Sequence, residues 1–177
     1  MDLKVFDIPE TVRRTVSLIA NEGVRFVTIH GNEKNIRAAA EARGESGLKL
    51  LAVTVLTSLD ADDIKKLGLG HDIAKLAVQR ARDAMEAGCD GVITSPHEAV
   101  QIKEATGGRL LIVTPGIRPD GSDVAHDDQK RFASPTRAIG SGADYLVVGR
   151  PITGAPNPQE AAREIVAEMQ SAFDERG

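Results

Sequence analysis

Leu50-Leu51-Ala52-Val53-Thr54-Val55-Leu56 is a nearly unbroken apolar run. A strand with one wet face alternates apolar and polar residues. A strand without that alternation is covered on both faces, as the strands of parallel sheets are. The same rhythm recurs on either side of this run. Upstream, Phe26-Val27-Thr28-Ile29-His30-Gly31 reads as another buried strand. Between the two lies a short helix over 33–43, with Ile36, Ala39 and Ala40 on one side and Gly44 at its end. Before that, Val12, Val16, Ile19 and Ala20 recur at helical spacing until Gly23. Downstream, a long helix from about Asp72 to Ala87 carries Ile73, Leu76, Ala77, Ala81, Ala84 and Met85 and closes at Gly88. Val92-Ile93-Thr94 follows as a strand, and Ser95-Pro96-His97-Glu98 has the capping serine, first-turn proline and later glutamate of a helix opening. A strand over Leu110–Thr114, a polar loop through 117–131 and a helix near Pro135–Ser141 come next. Tyr145-Leu146-Val147-Val148 is the last strand, and Asn157-Pro158-Gln159-Glu160 opens the terminal helix.

Counting a strand at the amino terminus, the unit βα occurs six times, which means a parallel sheet with helical crossovers. Two α/β architectures fit: part of a (β/α)8 barrel, two units short of the full ring, or a six-stranded doubly wound sheet. Periodicity alone does not separate them. No Gly-x-Gly-x-x-Gly follows the first strand, so dinucleotide binding has no support.

The chain has 177 residues and a formal net charge of −4, with no basic footprint for nucleic acid or an anionic membrane. No apolar run approaches the roughly 20 residues of a membrane helix, and no signal peptide is visible. The single cysteine, Cys89, excludes an internal disulfide and fits a reducing cytosol; it reads as a packing residue. The four histidines, His30, His71, His97 and His126, lack zinc-ligand spacing.

The chemistry-bearing residues cluster at strand ends. In Asp2-Leu3-Lys4-Val5-Phe6-Asp7-Ile8-Pro9, Asp2 and Lys4 project from one face of the first strand, and Pro9 suits the first turn of a helix. Asp7 then stands at the carboxyl end of the strand, where α/β proteins keep their chemistry. Acids on both sides of Lys4 favour its charged form, so it reads as a proton donor or an anchor. Thr57-Ser58 lie beyond the most apolar strand. Thr114-Pro115-Gly116-Ile117-Arg118-Pro119 opens the polar loop that runs on to Gln129-Lys130-Arg131. Gly149-Arg150 closes the last strand, and barrels frequently bind phosphate in the loops after their final strands. Arg118, Gln129, Gly149 and Arg150 therefore point to a phosphorylated substrate.

These residues resemble the orotidine 5′-phosphate decarboxylases. Asp2-Leu3-Lys4-Val5-Phe6-Asp7-Ile8-Pro9 with Thr11 is similar to that family's D-x-K-x-x-D-I-P-x-T signature. Val53–Ser58, Thr114–Pro119, Asp128–Arg131 and Tyr145–Thr153 match its later blocks in order. The resemblance implies a (β/α)8 barrel, with residues 1–177 a single but incomplete barrel domain. It also implies a cytoplasmic homodimer with a shared active site, working without metal or cofactor. By position it makes Lys4 the proton donor and sets Asp2 against the substrate's carboxylate. Asp7, Ile8 and Thr11 reach into the partner subunit's site. Thr57, Pro115 and Arg118 line the pyrimidine and loop region, and Gln129, Gly149 and Arg150 hold the phosphate. The reaction implied is conversion of orotidine 5′-monophosphate to uridine 5′-monophosphate (UMP) and CO2 in pyrimidine biosynthesis.

Two departures qualify the match. The family begins with two further βα units that supply an aspartate and a lysine, and this chain starts inside what corresponds to the third strand. A misplaced start or a shortened chain is the expected explanation. The fragment by itself is expected to turn over little and to associate through its open edge. Arg118 and Gln129 also stand further apart than is usual. Two rivals remain at this level: a non-catalytic nucleotide-binding remnant, and the magnesium-dependent 3-keto-gulonate-phosphate decarboxylases and hexulose-phosphate synthases, which share D-x-K-x-x-D. Ile8-Pro9 argues against the latter, which normally carry glycine after the second aspartate.

Overall fold

The structure, a computed structural model, describes residues 4–30, 32–70, 72–119 and 131–176. Its elements in order are β1 (Lys4–Val5), α1 (Pro9–Ile19), β2 (Phe26–Ile29), α2 (Glu33–Arg43), β3 (Lys49–Val53), α3 (Ala61–Lys66) and α4 (Ile73–Glu86). There follow β4 (Gly91–Ile93), α5 (Pro96–Thr106), β5 (Leu111–Thr114), α6 (Pro135–Gly140), β6 (Tyr145–Leu146), α7 (Arg150–Thr153) and α8 (Pro158–Arg176). The long helices and most strands lie where the apolar periodicity puts them. Two short helices do not. α3 is opened by a reciprocal capping box between Asp60 and Asp63, an aspartate version of the usual serine–glutamate signal. α7 is a single turn separated from the end of the last strand by three residues, with Pro151 in its first turn.

All six strands are parallel, and their order in the sheet is β1-β2-β3-β4-β5-β6. That order decides between the two architectures. A doubly wound sheet reverses direction once, so that helices cover both of its faces. Here each crossover steps the same way, and crossovers of one hand then put every helix on the same face. The packing agrees. Leu50 and Ala52 of β3, Val92 of β4 and Ile112 of β5 join Val12, Val16, Ile36, Ala77, Ala81 and Ile102 in the main core between sheet and helices. The alternate residues Leu51, Val53, Ile93 and Val113 form a second, small cluster with Phe26, Leu56, Tyr145 and Val147 that includes no helix residue. α1 packs on α2, α2 on α4 and α4 on α5, a single outer layer in chain order. This is barrel-type winding, and the unbroken apolar character of residues 50–56 arises because helices lie on one side of the strand and the interior of the winding on the other. Among the described residues β1 and β6 each pair on one side only.

At the amino ends of the strands, two aspartates perform the same task. Asp90, before β4, accepts the Leu50 amide of β3 at 2.9 Å and the Lys49 ammonium at 2.9 Å, and pairs with Arg43 of α2. Asp144, before β6, accepts the Ile112 amide of β5 at 2.8 Å and Lys103 of α5 at 2.9 Å. Each carboxylate ties a strand start to its neighbour and to the helix layer. Asp144→Ala should cost about 2 kcal/mol, the scale of hydrogen bonds to a charged group. In a chain of this size that lowers the melting temperature by roughly 4–8 °C. A calorimetric scan checks it, and an unchanged midpoint would show that the carboxylate is dispensable.

Candidate active site

Lys4 pairs in register with Thr28 of β2, and Val5 beside it packs into the helix-side core. By strand alternation Lys4 therefore projects to the inner face, with Thr28 and, one strand further, Leu51. Phe6 and Ile8, just beyond, are 68% and 66% exposed. Asp7 is exposed, its Oδ1 accepts the Ile8 amide at 2.7 Å, and its own carbonyl accepts Asn35 Nδ2 at 2.9 Å. Asp7 does not cap α1 with its side chain; the cap position belongs to Ile8, which makes no side-chain cap. Thr11 lies exposed in the first turn of α1.

The remaining candidates follow the carboxyl ends of later strands. Thr57 is buried four residues past β3. After β5, Pro115 is half-buried, and Gly116 takes a left-handed φ of 74° that a side chain would strain. That turn lets Ile117 form an isolated parallel bridge to Ala133. Arg118 is buried; its amide donates to the Ala133 carbonyl at 2.9 Å and its Nη1 to the Ile117 carbonyl at 2.6 Å. After β6, Gly149 and Arg150 are exposed at the start of α7, and a Cβ added at Gly149 would meet no atom of the described residues within 4 Å. Asp2, Gln129, His71 and His126 lie outside the described residues.

The structure adds groups that the sequence ranked low. His30, directly past β2, stacks on Phe6 at a centroid separation of 4.8 Å, and its Nδ1 is buried with no partner among the described residues. Burial first, then the positive charges of Arg80 and Lys4, holds its pKa below the ordinary imidazole value. His30 and Phe6 line a cavity of about 550 Å³ with Asn32, Ala52, Val53 and Arg80. Arg80 reaches it from α4, its Nη1 donating to the Thr54 carbonyl at 2.6 Å. Position immediately after a strand was the available signal for His30; nothing in a local window marks Arg80. Glu98 lies in the first turn of α5, as a helix-opening residue should, and its carboxylate also pairs with Arg131 at 2.6 Å. Ser95 does cap α5, its Oγ accepting the His97 amide at 3.3 Å.

A second cavity, lined by Arg25, Lys49, Asp90, Arg109 and Tyr145, lies at the opposite, amino ends of the strands. Barrel chemistry belongs to the carboxyl ends, where Lys4, His30, Thr57, Arg118 and Arg150 are. Cys89 is buried, and burial pushes its thiol up to about 12, so it is a packing residue and no nucleophile. Among the described residues no three His, Cys, Asp or Glu side chains gather as a metal-holding group, and no helix is long and apolar enough to cross a membrane.

Residues 1–165 match the family described as orotidine 5′-phosphate decarboxylase / HUMPS. The chain belongs to that family. The orotidine 5′-phosphate decarboxylase of Nitrobacter winogradskyi is 49% identical over 173 residues, covering 98% of this chain and 71% of the relative. That of Afipia carboxidovorans is 50% identical over 172 residues, covering 97% and 72%. Among solved structures, the orotidine 5′-phosphate decarboxylase of Lactobacillus acidophilus superposes with a TM-score of 0.78 at 37% identity, covering 95% of this chain and 73% of that one. The barrel-type winding of this chain is thus the family's own.

Proposed function

We propose that the protein decarboxylates orotidine 5′-monophosphate to UMP, with Lys4 as the catalytic residue. The observation that carries this reading is the inward projection of Lys4 from β1, in a chain about half identical to relatives named for that activity. Loss of CO2 from C6 of the pyrimidine ring leaves an electron pair on a carbon that delocalises it poorly. A fixed ammonium beside that carbon stabilises the growing negative charge, then delivers its proton to C6. Asp2 is assigned the place beside the departing carboxylate. Crowding two carboxylates costs free energy, which binding of the remote phosphate offsets.

In this reading Thr57, Pro115 and Arg118 line the pyrimidine side, and Gln129, Gly149 and Arg150 take the phosphate. Among the described residues nothing lies within 4 Å of where a Gly149 side chain would start, which supports approach of an anion to the backbone there. Asp7, Ile8 and Thr11 complete the site of a second copy in a cytoplasmic homodimer. Their exposure, together with that of Phe6, supports a surface that another chain covers.

The direct test is release of CO2 from orotidine 5′-monophosphate by the protein as its cell makes it. No turnover would overturn the proposal, and turnover of a sugar phosphate requiring magnesium would favour the HUMPS branch. Arg150→Ala should raise KM about 10–100-fold with a smaller change in kcat, as expected for loss of a charged hydrogen bond made equally in ground and transition states. Steady-state kinetics would show it; an unchanged KM would remove Arg150 from the phosphate site.

A further inference from the structure

We infer that Glu98 and Arg131 form a positioning pair that holds two parts of the substrate site, Thr57 and the Pro115–Arg118 turn, in register with each other. This rests on the decarboxylase reading above. Glu98, in the first turn of α5, is 4% exposed, and the Arg131 side chain is 12% exposed. Arg131 Nη1 donates to Glu98 Oε1 at 2.6 Å, while its Nη2 donates to the Leu56 carbonyl at 3.1 Å and the Val55 carbonyl at 3.3 Å. Those carbonyls belong to the two residues just before Thr57.

Two residues beyond Arg131, Ala133 is held to the other part of the site. Its amide donates to the Gly116 carbonyl at 3.2 Å and its carbonyl accepts the Arg118 amide at 2.9 Å. One planar guanidinium therefore joins the head of α5 to the chain leaving β3, and through a two-residue span to the turn leaving β5. Only arginine offers several donors in a fixed plane for such a task. Stability is a poor reason to keep the pair. Removing two charges from water costs more than their attraction returns unless every remaining polar atom is matched. Here Glu98 Oε2 and Arg131 Nε are buried without partners among the described residues. Burial holds the Glu98 carboxyl above its ordinary range even though the Arg131 guanidinium beside it pulls the other way.

The test compares the full chain with Glu98→Leu, Arg131→Met, the double variant and Arg131→Lys. UMP affinity is measured by calorimetry, and amide exchange is followed over residues 55–58 and 116–118. Each single change should weaken UMP binding about 10-fold, with the double variant no weaker than either, the mark of groups that act as one unit. Both amide segments should lose protection together. Arg131→Lys should not rescue, because one ammonium cannot replace the fork. Should Glu98→Leu fail to fold, Glu98→Gln keeps the volume, removes the charge and reads the same two quantities. Additive effects overturn the inference, and so does a lowered melting temperature with unchanged UMP affinity and unchanged exchange at those segments. If the unsubstituted protein neither binds UMP nor turns over, the functional reading fails instead. The exchange measurement then still decides the pair: coordinated loss supports it, and none overturns it.

Discussion

Lys4→Ala is expected to lower kcat for orotidine 5′-monophosphate by about 10⁴-fold or more, with UMP affinity changed far less. Proton delivery by a placed side chain contributes on the order of 10²–10⁴. Stabilising the developing charge on C6 adds to that, because the same ammonium performs both roles. The loss falls on kcat, since the electron pair on carbon exists only along the reaction path and has no counterpart in bound substrate or product. Lys4→Arg should restore little: guanidinium holds its proton too firmly to deliver it, and its planar fork does not fit a site made for a compact ammonium. Single-turnover measurement of UMP formation, beside calorimetric UMP binding, separates chemistry from affinity. UMP appearing at the original speed in Lys4→Ala would end the proposed mechanism.

Gly91→Ala should be the most damaging small change to the fold. Gly91 lies in β4, in register with Leu51 of β3 and Leu111 of β5. A Cβ there would sit 2.6 Å from the Leu111 carbonyl oxygen, 2.7 Å from the Leu111 Cβ and 2.9 Å from Leu51 Cδ2. The first of these is backbone inside a strand and cannot swing aside, so the sheet itself must shift. Overpacking of this kind costs about 3 kcal/mol or more. The melting temperature should then fall by roughly 6–12 °C. A thermal unfolding scan checks it, and a midpoint within a degree of the unsubstituted protein would show that the strands have slack at this point.

How far the chain can be read without its structure depends on the range of the forces involved. The helices α1, α2, α4 and α5 were legible because amphipathic spacing and end signals such as Gly44, Gly88 and Ser95 act within a few residues. The candidate residues Lys4, Thr57, Arg118 and Arg150 were legible because a strand followed by a helix marks its own carboxyl end. α7 was not, being a single turn with too few residues to show a period. Glu98 was legible only as a cap: its partner Arg131 is 33 residues away, and no local window contains both.

Sequence alone determined that the chain alternates strand and helix, that its strands are buried on both faces, and that acids flank a lysine in its opening strand. Each of these is written in spacings of a few residues. Tertiary structure decided the rest: a strand order that never reverses, hence winding of barrel type with all helices outside and Lys4 inside. It also decided that His30, Arg80 and the Glu98–Arg131 pair belong beside the candidate residues. Strand order is set by which apolar faces bury best against one another across the whole sheet, a competition among distant segments that no single stretch encodes.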